Sequence, residues 1–305
     1  MSEVQNIISR YEGDSPGLKA NLYRFLTTGS LAHTGKMLFL PVDQGFEHGP
    51  VRSFGTNEDA YDPHYHFQLA IDAGLSGFAA PLGMIEAGAD TFAGRVPTIL
   101  KLNSANMMIP GTARKDQAIT ATVRDAIRLG CSGIGLTIYP GALAALDMIE
   151  EAREMIAEGK DYGLPSFVWS YPREGDLTKE CETAVDVAAY ATQIAALIGA
   201  HIIKVKLPSE HVSQQDVKRI YHETGKDFSS QTDRVRHIMQ SALGGRRVVV
   251  FSGGDRKEEN SILDDARAIA AGGGNGSIIG RNAFKRSRPE ALALLQQVTG
   301  IYLQA

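Results

Sequence analysis

The sequence predicts an α/β fold, a single (β/α)8 TIM barrel with an N-terminal helical extension, on three observations. Short apolar runs rich in β-branched residues recur eight times along the 305 residues. Amphipathic stretches of helical spacing separate them. No GxGxxG follows the first run, which speaks against a doubly wound dinucleotide-binding sheet.

The eight runs fall at residues 37–42, 76–81, 96–102, 133–138, 166–170, 201–206, 247–252 and 277–279. Near-continuous apolar strands alternating with helices are strands buried on both faces, as parallel βα units require. The helices between them carry their own punctuation. Gly74 stands where the helix before the second run needs a C-terminal cap, and Pro289 suits the first turn of the last helix. Residues 1–33 are expected to pack as helix on the barrel, and residues 34–305 to form one catalytic domain. The polar segment 208–227 after the sixth run reads as a loop on the active-site side with some helix. Gly272 to Gly276 precedes the eighth strand and reads as a connector at the opposite end of the barrel.

Composition excludes several classes. A formal net charge of -4 with no basic block offers nucleic acid no electrostatic hold. No apolar run approaches the roughly 20 residues of a membrane span, and the polar N-terminus has no secretory pattern, so a cytoplasmic protein is expected. Cys131 and Cys181 are too few for a disulfide framework. His64 and His66 diverge on a helix, so no metal site is expected.

In a closed barrel, polar residues on the inward alternation near strand C-termini are candidate chemistry. Lys204 and Lys206, two residues apart on the sixth strand, share the inward face. Burial and a neighbouring cation lower a lysine pKa and supply the neutral amine that forms an imine with a ketone. Beyond the fifth strand, Trp169, Tyr171 and Arg173 alternate. Tyr171 is a candidate proton carrier whose pKa nearby lysines are expected to lower, and Arg173 a fixed cation for phosphate. Asp43 tops the first strand, ahead of Glu47 and His48, and is placed either to orient substrate hydroxyls or to cap a helix. Lys101 and Asn103 form a further polar pair on the third strand. Ser252, Gly253 and Gly254 after the seventh strand, with Gly280 and Arg281 after the eighth, match the usual phosphate cradle of such barrels.

Taken in order, PVDQGFEHGP, ILKLN, TIYPG, VWSYPR, IIKVK, SGG and IIGRNAF resemble the archaeal-type class I fructose-1,6-bisphosphate aldolases, which also occur in bacteria. The resemblance spans residues 34–302. It implies a barrel that cleaves fructose 1,6-bisphosphate to dihydroxyacetone phosphate and glyceraldehyde 3-phosphate, and condenses them in reverse, without metal or cofactor. It implies Lys204 as the imine-forming residue, Tyr171 as the proton carrier with Trp169 and Arg173 alongside, and Asp43 as the strand 1 carboxylate. It implies phosphate binding at Ser252, Gly253, Gly254, Gly280 and Arg281, phosphorylated ketoses and trioses as partners, and a homo-oligomer. Two departures from the family pattern stand out, Gln44 where many relatives carry histidine and the longer segment after the sixth strand. A related Schiff-base barrel transferase or thiolase, acting on another phosphorylated ketose, is the alternative.

Overall fold

The computed structural model describes residues 1–109, 114–252 and 258–305. Eight parallel strands close into a barrel: β1 Met37–Pro41, β2 Gly77–Pro81, β3 Thr98–Lys101, β4 Gly133–Ile138, β5 Ser166–Ser170, β6 Ile202–Lys206, β7 Val248–Ser252 and β8 Gly276–Ile278. Each pairs with its neighbours in sequence, and β8 closes on β1 with Met37 opposite Gly276. The expected runs and the observed strands agree to within one or two residues at their ends.

The period of two sorts the side chains. Outward residues such as Leu38, Leu40, Val168, Ile203, Val205 and Val249 pack under the surrounding helices in one apolar layer. Inward residues Phe39, Ile99, Phe167, Trp169, Ile202, Val248 and Val250 fill the barrel in a second. Two glycines are dictated by this packing. A Cβ on Gly135 of β4 would stand 2.6 Å from the Trp169 ring, so the strand yields its side chain to the indole. Gly276 opens β8 at φ +130°, where a Cβ would meet the Met37 carbonyl oxygen at 1.9 Å.

The N-terminal helices Glu3–Ser9 and Pro16–Leu26 plug the barrel's lower end. Both begin on serine caps, Ser2 in a capping box with Gln5, and Ser15 ahead of Pro16. They bury Val4, Ile7, Leu22, Phe25 and Leu26 against the inward layer, with Phe25 edge-on to Phe167 at 5.1 Å. Tyr11 ties the plug to the strands, its hydroxyl donating to the His201 carbonyl (2.6 Å) and accepting from the Val248 N–H (3.1 Å). We expect Phe25→Ala to cost about 3–5 kcal/mol in chemical denaturation, because the plug and the barrel interior lose one shared contact. A loss below about 1 kcal/mol would mean that the plug is not part of the core.

The histidines of segment 62–66 find separate partners: His64 Nε2 meets the Ala87 carbonyl and His66 Nε2 the Ala60 carbonyl, each at 2.8 Å. Burial pulls the His66 pKa down from 6.5 to about 4. The unfolded chain therefore binds a proton that the folded chain refuses, and stability present above pH 6.5 is lost as pH falls towards 4. The expected loss is about 3 kcal/mol over that window. Urea denaturation at pH 7, 5.5 and 4.5 on wild type and His66→Leu checks it, since only the wild type should carry this part of the slope.

The segment after β6 carries the helix expected of it. It contains the helix Gln215–Glu223 and is fastened at its start by the buried Asp186 carboxylate, which accepts from the Ser213 and Gln214 N–H groups at 2.9 Å each. It lies beside the barrel mouth rather than over it: none of residues 207–251 lines the cavity described next.

A candidate active site at the barrel mouth

The C-terminal ends of the strands enclose a cavity of about 720 Å³. Asp43, Lys101, Trp169, Tyr171, Arg173, Lys204, Lys206, Ser252, Gly280 and Arg281 all line it. Residues from six different strand ends thus converge, which the shared period and closure of the barrel make possible. Gly253 and Gly254 lie outside the described residues.

Lys204 sits at the floor. Its side chain is buried, with Nζ 5.0 Å from the centre of the Trp169 ring and 5.5 Å from that of Tyr171. Among the described residues its amine is held by those ring faces and by no hydrogen bond. Burial brings its pKa down to about 8, against the opposing pull of the Asp43 and Glu47 carboxylates. The cation that adds to the lowering is Arg281, not Lys206 as the sequence spacing suggested. Lys206 has turned to the rim, where its Nζ lies 3.9 Å from Glu182. The Trp169 indole, whose six-membered edge occupies the space left by Gly135, is the plate on which the amine rests.

A second lysine shares this plate. Lys101 Nζ is 5.7 Å from the Trp169 ring, is equally buried, and is brought down to about 8 by burial. It differs in being tethered. It donates to the Asn103 carbonyl and, at 3.0 Å, to Asn103 Oδ1, which also accepts from the Thr137 N–H at 2.7 Å. Two acceptors on its N–H groups hold that amine in place and favour its charged form, so Lys204 is the amine free to turn towards a carbonyl.

Asp43 precedes the helical turn Gln44–His48 without capping it. Its Oδ1 is buried and has no hydrogen-bond partner among the described residues, and the same holds for Trp169 Nε1. Buried polar atoms without partners are expected where a ligand completes the set. Of the two readings open for Asp43, capping is therefore excluded. Gln44 is buried beside it, also with an unpartnered Oε1.

Tyr171 corrects an expectation. Burial raises its phenol pKa, and the Asp43 and Glu47 carboxylates raise it further; the hydrogen-bond partner Ser252 and the Arg173 cation only oppose this. The phenol lies 3.4 Å from Ser252 Oγ and is protonated at neutral pH. The lysines expected to lower it are not among its main influences, and burial outweighs every cation near it.

Four residues were missed in the sequence. Lys179, Glu182, Arg114 and Lys115 stand on the rim, brought there by the connections after β5 and β3. Glu182, only 11% exposed, meets Arg173, Lys179 and Lys206 together. Its one sequence signal was Lys179 three residues earlier, which reads as an ordinary solvated pair. Lining cations Lys101, Arg114, Lys115, Arg173, Lys179, Lys204, Lys206 and Arg281 outnumber Asp43, Glu47, Asp116 and Glu182, although the chain as a whole is at -4. A cavity positive inside a negative protein collects anions.

Fold and site together define a barrel enzyme with a desolvated amine in an anion-collecting mouth. The chain belongs to the DeoC/LacD family aldolases, whose model matches residues 37–286. It is 30% identical over 298 residues to the probable fructose-bisphosphate aldolase class 1 of Chlamydia trachomatis, covering 93% of this chain and 84% of the relative. The crystal structure of an archaeal fructose 1,6-bisphosphate aldolase superposes with a TM-score of 0.76 at 31% identity, over 92% of this chain and 98% of that one. A second archaeal aldolase structure, with its catalytic lysine covalently bound to the carbinolamine intermediate of the substrate, gives 0.75 at 30% identity, over 91% and 97%.

Proposed function

We propose that the protein is a class I aldolase, which cleaves fructose 1,6-bisphosphate to dihydroxyacetone phosphate and glyceraldehyde 3-phosphate, and runs the reverse condensation, through an imine on Lys204. The observation that carries this reading is the untethered, buried Lys204 amine, lowered to about 8 on the Trp169 and Tyr171 rings. The neutral amine adds to C2 of the open-chain ketose. The Tyr171 phenol gives its proton to the departing C2 hydroxyl, water leaves, and a protonated imine stands beside a phenolate. That phenolate, a strong base because burial disfavours it, takes the C4 hydroxyl proton. The C3–C4 bond then breaks, glyceraldehyde 3-phosphate departs, and the electron pair passes into the imine as an enamine. Tyr171 returns the proton to C3, and water hydrolyses the imine to release dihydroxyacetone phosphate.

Asp43, with its unpartnered Oδ1, is suited to hold a substrate hydroxyl. Trp169 is suited to fix the amine by its ring face. Ser252, Gly280 and Arg281 are suited to take the phosphate nearer the imine; Arg281 is the cation closest in effect to Lys204. Lys101, Arg173 and Lys206 supply the remaining positive wall. No helix among the described residues is long and apolar enough to cross a membrane, and we read the enzyme as cytoplasmic and homo-oligomeric. We take residues 34–305 as its catalytic domain and 1–33 as the attached plug. Cleavage of fructose 1,6-bisphosphate in a coupled assay with EDTA present tests the reading; absence of turnover there would reject a metal-independent aldolase.

A further inference from the structure

We propose that Glu182 is a positioning residue, which sets the enzyme's preference for a doubly phosphorylated ketose by holding Arg173 and Lys206 together as one cationic wall. The inference rests on the aldolase reading above. Glu182 stands on the single-turn helix Cys181–Thr183, in the connection after β5. One carboxylate oxygen, Oε2, meets Arg173 Nη1, Lys179 Nζ at 3.0 Å and Lys206 Nζ at 3.9 Å. Those cations come from three segments: the end of β5, the loop after it, and the end of β6. Without a common anion, like charges so close would repel, and long side chains at an open mouth would turn to solvent. With it, three cations and one anion leave a surplus of two positive charges, which is the complement of a phosphate dianion. The side chains are also ordered before substrate arrives, so binding does not have to freeze them.

The turn bearing Glu182 is itself clamped from outside. The Ser209 N–H and hydroxyl donate to the Thr183 carbonyl at 2.7 and 3.1 Å, and the Val185 N–H donates to the His211 carbonyl at 2.9 Å. These contacts come from the extra segment after β6, whose next residues are pinned by Asp186. The segment that lines no part of the cavity thus acts on it through the carboxylate. Arg173 and Lys179 belong to β5 and its connection, three strands round the barrel from Gly280 and Arg281 after β8. Lys206, opposite Ser252 in register, stands between the two groups. The β5 side of the wall is thus the place for the phosphate that only a bisphosphate carries.

The test compares fructose 1,6-bisphosphate with fructose 1-phosphate on the full-length enzyme. Glu182→Gln should raise KM for the bisphosphate about tenfold and leave kcat/KM for fructose 1-phosphate within about twofold. Glu182→Asp should recover part of the loss. In an Arg173→Gln background, Glu182→Gln should add a smaller factor than it does in the wild type, since part of its effect runs through that guanidinium. A merely structural ion pair would lower both substrates equally, and that result overturns the proposal. So does a bisphosphate KM that stays the same or falls. Should Glu182→Gln fail to fold, the ratio of the two substrates in Glu182→Asp decides in the same way. Borohydride trapping of dihydroxyacetone phosphate on the wild type separates the two readings. No adduct on Lys204 sinks the aldolase mechanism, whereas an adduct with an unchanged substrate ratio sinks only the role of Glu182.

Discussion

Lys204→Ala is expected to abolish the borohydride-trapped adduct with dihydroxyacetone phosphate and to lower cleavage by at least about 10⁴-fold. The reason is the loss of the one amine on the floor that, among the described residues, is both buried and untethered, and with it of the group that stores the electron pair of the breaking C3–C4 bond. Lys101 is the natural competitor, being as buried and as strongly lowered. Its ties to Asn103 argue against it, and Lys101→Met should keep the adduct while weakening substrate binding. Intact mass after trapping, with peptide mapping to position 204, reads the outcome. An undiminished adduct in Lys204→Ala, or its disappearance in Lys101→Met alone, would transfer the role to Lys101. The pH dependence follows from the same amine. With its pKa lowered to about 8, the trapping rate should fall about tenfold per unit as pH drops below that value and level off above it, since only the neutral amine attacks.

Tyr171→Phe should retain the imine and lose about 10²–10⁴-fold in kcat, the range that a positioned acid or base supplies. The substitution removes the phenol proton and leaves the ring under the Lys204 amine, so floor geometry is kept. Single-turnover trapping distinguishes the step: the adduct should still form, more slowly, while release of glyceraldehyde 3-phosphate nearly stops. Because burial raises the phenol pKa, the tyrosine begins each cycle as an acid and becomes the base only after giving up its proton. A rate close to that of wild type would remove Tyr171 from the mechanism and leave Asp43 as the next candidate.

The barrel was legible because its information is local. Near-continuous apolar runs, helical stretches between them, and glycines at caps and close approaches are each readable within ten or so residues. The same alternation put Lys204 on the inside and lined up Trp169 with Tyr171, and the cavity collects both. Legibility failed where long-range placement decides. Glu182 gave only the signal of an ordinary pair with Lys179, since its partners Arg173 and Lys206 reach it from separate strand ends. The segment after β6 was readable as a loop on the active-site side, but not its clamp on the turn that bears Glu182. The expected influence of Lys206 on Lys204 assumed that neighbours on a strand face remain neighbours at their tips, whereas a rim carboxylate drew one of them away.

The sequence by itself determined which residues face inward, because the pleat leaves a strand only two sides and polar residues on alternate positions near the strand ends mark the inner one. Tertiary structure alone decided which amine is free, which phenol keeps its proton, and which cations share an anion. Those properties depend on burial and on charges within a few ångströms, and such distances exist only once segments far apart in the chain have been folded against one another.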